Sequence, residues 1–551
     1  MSENRRDSAM KWAMPPVGRE QMTLFSRSLD DVVPVDHRVR TVDQILRGLD
    51  WSRFEAMYCD QLGQPAIHPR VIASTILYGH MVRIRSSRGL EGALQERFDF
   101  LWLVEGRSID HTTISEFRLR FGSLLSDIGA QMAVIAHRMG VTTLTMLTQD
   151  GTRMRASNAR RATADVDQLD DLHAGFRAAI QDLEQQVREA ELEDSEEARM
   201  EASLLGDQLN TAKNRAAAIE RAKAEIDRAR AANEPIPRQI PLTDPTCRVT
   251  PNKQAGHDPN YTPVATVDME SGMILDGDVR PNTDEEVCLA PALDRIEAGL
   301  AERGLNIHVD SVSVDSRFVD GPNMEKMEAR KTDLLGPITQ IPTCVFREDG
   351  SVPIDEEFWS KLPAIVVRKA KDGKPAVAQL SKEAFLHDPE QNCYWCPMGE
   401  KLEYKVTSTE SKRRHGEDCT TTRQRFEAPA SACLACALKS RCLQNEETTT
   451  RGRTLTIDAH EPQRERMRQR MKIANNQVQQ RRRQTEGERP FALIKHVLGI
   501  RQFLLRGTKR VKVEWSWITN SVNLIVLTGL LRDGEKRSRP GGVPRPPVAG
   551  A

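Results

Sequence analysis

The sequence predicts a mixed α/β core behind an all-helical N-terminal domain, and three observations carry that reading. In residues 21–140 apolar residues recur at steps of three and four, as in VDHRVRTVDQILRGLDWSRFEAMY and HPRVIASTILYGHMVRI. From residue 142 the pattern changes to alternating, β-branched segments: 142–149, YTPVATVD (261–268), GMILDGDV (272–279) and NIHVDSVSVD (306–315). A helical run at 284–302 separates the last two. Strand, strand, helix, strand is the order of a mixed sheet.

Taken in order, residues 1–20 read as a flexible tail. The stretch DHTTISEFRLRFGSLLSDIGAQMAVIAHRMG supplies Thr/Ser caps and a long amphipathic run ending at Gly140. The Arg-rich junction RIRSSRG (83–89) suits a helix-turn-helix-like module, and a generic helical bundle fits equally. The core's first part spans 141–346. Within it, residues 165–233 read as an inserted helical hairpin: Leu169, Leu172, Phe176, Ile180, Leu183 and Val187 step helically, a second run uses Leu205 to Ile226, and Gly206 is the expected break. Between Asp165 and Asp207 stand 14 acidic residues against 3 basic, which reads as a solvated face. A helix is expected near 321–330, a Cys-rich insertion at 380–450, a basic helical end of the core at 464–531, and a disordered tail at 532–551. SWITNSVNLIVLTGLL reads as a buried helix, too short and too polar to span a membrane.

At 551 residues the chain exceeds one ordinary core. Its net charge of zero gives no bulk argument for nucleic acid, but the distribution does: from Arg451 to Trp515 there are 17 Lys/Arg and 6 Asp/Glu. The polar start MSENRRDSAMKW is no secretory signal, and ten cysteines without one suit a reducing compartment, so a cytoplasmic location is expected.

Three carboxylates stand out. Asp150 ends the first strand, Asp315 ends NIHVDSVSVD, and Glu488 lies on the basic helix. Neighbouring strands with that helix across them would gather all three at one sheet edge. Such repulsion requires compensation, and oxygen ligands suit Mg²⁺ or Mn²⁺, which can activate a hydroxyl and stabilise a leaving oxygen at phosphorus. Asp310, Asp320 and Glu486 are the competing acids. Glu486 and Glu488 lie on different helix faces, so only one of them can face the strands.

The chain resembles DDE-type insertion-sequence transposases of the IS eleven-eighty-two group. The residues that carry this are IHPRVIASTILYGHMVRIRSSRGLEGALQERFDFLWLVEGRSIDHTTISEFR (67–118), TQDGTRMRAS, NYTPVATVD, SVSVDSRFVDGPNMEKME and GERPFALIKHVLGIRQFLLRGTKRVKVEWS, in the family's order over about residues 20–530. The resemblance implies a ribonuclease H-like core, with Asp150, Asp315 and Glu488 as catalytic Mg²⁺ (or Mn²⁺) ligands. It implies hydrolysis at transposon ends and strand transfer into target DNA, with DNA (terminal inverted repeats and target) as partner and a homo-oligomer on the DNA ends. Four positions depart from the family pattern: Arg317 and Phe318 replace Gly-Tyr, Ala492 replaces a glycine, and Gln484 replaces an arginine. These departures motivate an alternative, a DNA-binding protein that has lost catalysis; a plain nuclease is a third reading. Arg483, Arg489, Lys495, Arg501, Arg506, Lys509 and Arg510 are expected to line a path for DNA phosphates.

Cys393–Cys396 and Cys433–Cys436 form two CxxC pairs, a signal for structural Zn²⁺ in a reduced protein. Spacing alone favours Cys393 as the partner of Cys396, Cys433 and Cys436. The family resemblance favours Cys442 in its place.

Overall fold

The computed structural model describes residues 28–58, 66–192, 195–252, 256–338, 362, 364–368, 377–388, 390–414, 417–443 and 451–538. Residues 1–20, Cys59, Cys344 and 539–551 lie outside them. The architecture is mixed α/β, with a helical N-terminal region and several sheets.

The N-terminal helices are α1 (Leu29–Val32), α2 (Arg38–Arg47), α3 (Ser52–Glu55), α4 (Pro69–Met81), α5 (Ser87–Glu96), α6 (Phe98–Leu103), α7 (His111–Arg120) and α8 (Leu125–Arg138). Their starts follow from local chemistry. Asp110 accepts from the Thr112 and Thr113 amides, Ser86 accepts from Gly89, and Pro69 occupies the first turn of α4. Each such side-chain cap stabilises by about 1 kcal/mol.

The principal sheet contains β1 (Met146–Gly151), β2 (Met154–Arg155), β5 (Arg248–Pro251), β6 (His257–Asp268), β7 (Ile274–Arg280), β8 (Ser311–Ser313) and β9 (Asp333–Leu335). β7, β6 and β1 are successively antiparallel, whereas β8 and β9 continue in parallel from β1. α11 (Leu289–Glu302) connects β7 to β8, and α12 (Gly321–Arg330) connects β8 to β9. Two segments are shorter than the alternation predicts. The Thr143 amide donates to Glu270 and Leu144 has φ +62°, so the ladder begins at 146. The Val309 amide is held by Glu297, so β8 keeps only three residues on the ladder.

The helical hairpin is present, as α9 (Leu169–Glu191) and α10 (Glu196–Ala231), between the paired short strands β3 (Thr163–Asp165) and β4 (Gln239–Pro241). The break differs from expectation. α10 runs straight through Gly206, and its start is set instead by Ser195, which accepts from the Ala198 amide. A mid-helix glycine costs only about 1 kcal/mol, too little to interrupt a helix of 36 residues. Beyond β9 come the pair β10 (Ala364–Arg368) and β11 (Val377–Leu380), then a five-stranded sheet of β12 (Leu386–Asp388), β13 (Cys393–Trp395), β14 (Lys401–Arg414), β15 (Glu417–Glu427) and β16 (Thr454–Asp458). Short helices α13 (Ala430–Leu434) and α14 (Lys439–Cys442) sit between β15 and β16. α15 (Glu461–Lys472), α16 (Ala474–Ala492) and α17 (Thr508–Ser538) close the chain. Residues 532–538, expected as tail, are the last turns of α17.

The two faces of the principal sheet are covered differently. Leu147, Val312 and Leu334 pack with α8, α11 and α12. Ala265, Val267 and Ile274 pack with Phe491 and Ile494 and with Trp515 and Ile518 of α17. α17 also enters the N-terminal core, where Trp517, Leu524 and Leu527 lie among residues of α2, α4 and α7. The asparagines that interrupt its apolar run have work to do. Asn520 donates to the Leu125 carbonyl, and Asn523 exchanges two hydrogen bonds, of 2.7 and 2.8 Å, with the Ile274 backbone. The N-terminal helices therefore share one core with the end of the chain. The RIRSSRG junction is part of that join: Arg83 donates to the Val497 carbonyl at 2.7 Å, and Arg85 to Gln502 and to the Glu514 carboxylate. Among the described residues no helix is long and apolar enough to cross a membrane.

Candidate active site

The register of two parallel strands sets the site. Thr148 of β1 lies opposite Ser313 of β8. Two residues further along, Asp150 is the last residue but one of β1 and Asp315 follows β8, so both acids emerge at the same end of adjacent strands, whose spacing is about 4.8 Å. The Asp150 Oδ1 accepts from the Gly151 amide at 2.8 Å. Burial pushes its carboxyl up to about 6, with Asp315 and Glu285 adding to the rise, while the Gly151 amide and Arg483 oppose it. Asp315 accepts at Oδ1 from the Arg317 amide, 2.8 Å away.

α16 crosses this edge. Gln479 donates to the Ser311 hydroxyl, Gln480 to the Val314 carbonyl and Arg482 to the Met269 carbonyl. Gly487 is the closest approach: a Cβ there would come within 3.3 Å of Thr148 Oγ1 and 3.8 Å of the Asp150 Cβ. The two glutamates lie about 100° to either side of it. Glu486 shares its flank with Arg482 and Arg489, toward the β6–β7 turn, and its carboxylate is 3.7 Å from Arg489. Glu488 lies on the opposite flank, toward the Val314 end of β8 that Gln480 reaches, and is exposed. Asp150 and Asp315 are therefore brought together, and Glu488 stands off from them. Among the described residues no three His, Cys, Asp or Glu side chains are gathered closely enough to hold a metal ion.

A fourth acid is present that the sequence reading passed over. Glu285, in the turn Glu285–Cys288 before α11, is buried against Gly151, where a Cβ would overlap its carboxylate. Its Oε1 accepts from Arg317 Nη1 at 2.7 Å, and its Oε2 lies 3.8 Å from Arg153 Nη1. The run Asp284-Glu285-Glu286 looks like ordinary acidic decoration of a helix start; only the fold shows that its first two members are buried, Asp284 on Arg280 and Glu285 against Gly151.

The basic row is split. Arg483 is buried beside Asp150, with Nε and Nη1 making no hydrogen bond, so it does not lie on an exposed path. Arg489 is 63% exposed. Lys495 donates to Thr152 Oγ1 at 2.5 Å and to the Arg153 carbonyl, at the end of β1. Arg501 contacts His496, and Arg506 donates to the Ser157 carbonyl. Lys509 and Arg510 are exposed on the wall of a cleft of about 1200 Å³ that Arg317 also lines.

Beside the five-stranded sheet, Cys396, Cys433, Cys436 and Cys442 line one cavity of about 350 Å³. The Met398 and Glu400 amides donate to the Cys396 sulfur at 3.3 and 3.2 Å. The Leu438 and Arg453 amides donate to the Cys436 and Cys433 sulfurs. Burial raises the Cys396 and Cys433 thiols and pushes Cys442 up to about 12. Cys393 is apart from this group: it sits on β13 opposite Glu403, and the charges that reach it are Lys401 and Asp388.

Comparison with known families finds two matches. A family model described as "Transposase domain (DUF772)" matches residues 27–120, and one described as "Transposase DDE domain" matches residues 395–528. No curated protein and no solved structure matches the chain. The first match covers the capped N-terminal helices, and the second covers the cysteine cavity, the helix that crosses Asp150 and most of α17; both in order along one chain, the two matches support a DDE-type insertion-sequence transposase.

Proposed function

We propose that the protein is a DNA transposase whose ribonuclease H-like core uses Asp150, Asp315 and Glu488 for phosphoryl transfer at transposon ends. The observation that carries this is the β1–β8 register, which sets two acids side by side under the helix that bears the third. The donor set at this edge is all oxygen, including a Thr148 hydroxyl that is buried and makes no hydrogen bond, and it fits a hard divalent cation such as Mg²⁺ or Mn²⁺. Asp150 and Asp315 would hold that cation, with Glu488 turning inward from its flank. Once bound, the cation supplies Lewis-acid stabilisation of charge at phosphorus.

The residues of the chain have separate tasks. Asp150 holds a proton up to about pH 6 and must lose it before it can serve as a ligand. Arg483 partly offsets the buried charge. Lys495, fixed on Thr152 and the Arg153 carbonyl, presents an ammonium at the end of β1, where a flanking phosphate would lie. Arg489, Arg501, Arg506, Lys509 and Arg510 supply sequence-independent affinity for DNA. DNA ends and target DNA are the partners, with two or more protomers acting together on the ends.

A second reading, a DNA-binding protein without catalysis, is favoured by one observation: Glu488 is exposed and the three acids are not gathered. The test is cleavage and strand transfer on labelled DNA carrying the element's own ends, with Mn²⁺ or Mg²⁺. Cutting and joining by wild type, lost in Asp150→Ala and Asp315→Ala, supports the transposase. Binding without cutting at any metal concentration supports the second reading.

We also infer that Cys396, Cys433, Cys436 and Cys442 form a structural Zn²⁺ site. The support is their shared cavity and the amides that donate to three of the sulfurs; an ion would draw together sulfurs, all among the described residues, of which no three are gathered without it. Metal analysis of purified protein should find one zinc per chain, retained in Cys393→Ser and lost in Cys436→Ser. Zinc absent from wild type would remove the site.

A further inference from the structure

Glu285 and Arg317 form a pair to which the carboxylate reading assigns no task. Glu285 is only 6% exposed. Its Oε2 is fully buried and accepts no hydrogen bond, although Arg153 Nη1 is 3.8 Å away. A buried carboxylate costs several kcal/mol unless it is well paired, so its retention against Gly151, next to Asp150, calls for an explanation. Its close partner is Arg317, at 2.7 Å. Arg317 is tied at two points: its amide donates to Asp315 Oδ1, and its Nη1 donates to Glu285. Its side chain is nevertheless 44% exposed and opens on the large cleft that Lys509 and Arg510 also line. A guanidinium carries five donors in a planar fork, so the bond to Glu285 leaves another edge directed at that cleft.

We propose that Arg317 is a phosphate-positioning residue. Clamped on Glu285, it grips the non-bridging oxygens of the DNA phosphate next to the one that reacts at Asp315, and the cleft it lines receives that strand. The proposal rests on the transposase reading. It explains why a charged residue occupies this position, two residues after Asp315, and why a carboxylate is buried behind it. The competing role is structural: Arg317 would do no more than neutralise Glu285.

The two roles separate in DNA binding measured against salt. The probe is a fluorescein-labelled duplex of mixed sequence, bound by the full chain over a KCl series. Arg317→Ala should weaken binding and lower the slope of log affinity against log salt by about 0.9, the loss of one phosphate contact. Arg317→Lys should restore the slope. Glu285→Gln keeps the slope but should reduce Mn²⁺-dependent cleavage more than affinity, because the cation stays while its anchor is lost. A melting curve shows that each variant folds; if Arg317→Ala does not, Arg317→Gln replaces it. A folded alanine or glutamine variant with the wild-type slope overturns the proposal and leaves the transposase reading in place. Wild type that does not bind the duplex overturns both.

Discussion

The acidic edge and the cysteine cavity each gather side chains from distant parts of the chain, and they do so by different means. At the edge, backbone register does the gathering: Thr148 opposite Ser313 obliges Asp150 and Asp315 to emerge together. In the cavity, local turns do it, since Cys433 and Cys436 come from one short helix and its following turn, while Cys396 sits in the tight turn after β13. The difference shows at the last member of each group. Cys442 lines the same cavity as the other three cysteines, and Glu488, exposed on a helix flank, is not with its partners. Register fixes positions more firmly than a long side chain on a helix can.

If register is what builds the edge, the acids it delivers should matter most. Asp150→Ala and Asp315→Ala are each expected to lower single-turnover cleavage by roughly 10³-fold or more, whereas Asp310→Ala should leave it near wild type. Next in size is the join that carries α16 and α17. Glu514 is 7% exposed and accepts from Arg85 and from the Leu504 and Leu505 amides. Breaking that pair with Glu514→Ala should cost about 3–5 kcal/mol in denaturant unfolding. Stability unchanged in that variant would mean that the N-terminal helices and the C-terminal segment do not support each other.

The sign of the Asp150 effect sharpens the comparison. Its folded-state value is raised, to about 6 from 3.8. Its contribution is therefore fully present below about pH 4 and is lost as pH rises through 6. Asp150→Asn should accordingly be more stable than wild type at pH 8, by up to about 3 kcal/mol, with the gap closing by pH 4; melting curves at both pH values check this. The smallest effect contrasts two helical glycines. Gly206 faces open space, so Gly206→Ala should stabilise by about 0.5–1 kcal/mol. Gly487→Val should instead destabilise by about 1–3 kcal/mol, because Thr148 and Asp150 stand in the way.

Much of this was readable in the sequence because it rests on local pattern. The strand carrying Asp150 near its end, the helix 321–330, the hairpin and the buried helix around Trp517 all follow from periodicity and caps. What was not readable depends on distant partners. Arg83 and Arg85 look like a DNA-facing cluster until the 497–514 segment arrives to accept from them. Arg483 sits in a solvent-facing charge run but is buried by the approach of Gly487 to β1. Glu285 resembles any acid at a helix start, and only the closeness of Gly151 gives it a place at the edge. The choice between Glu486 and Glu488 lies between these cases, since helical geometry separates their flanks and the bonds of Gln480 and Arg482 show which flank faces the Val314 end of β8 and which the β6–β7 turn.

That choice bears the central claim, and one experiment decides it: Mn²⁺-dependent cleavage of labelled transposon-end DNA by wild type, Glu488→Gln and Glu486→Gln. Cleavage by wild type and Glu486→Gln, with none by Glu488→Gln, is the predicted result. Full activity in Glu488→Gln would contradict the assignment of the third carboxylate.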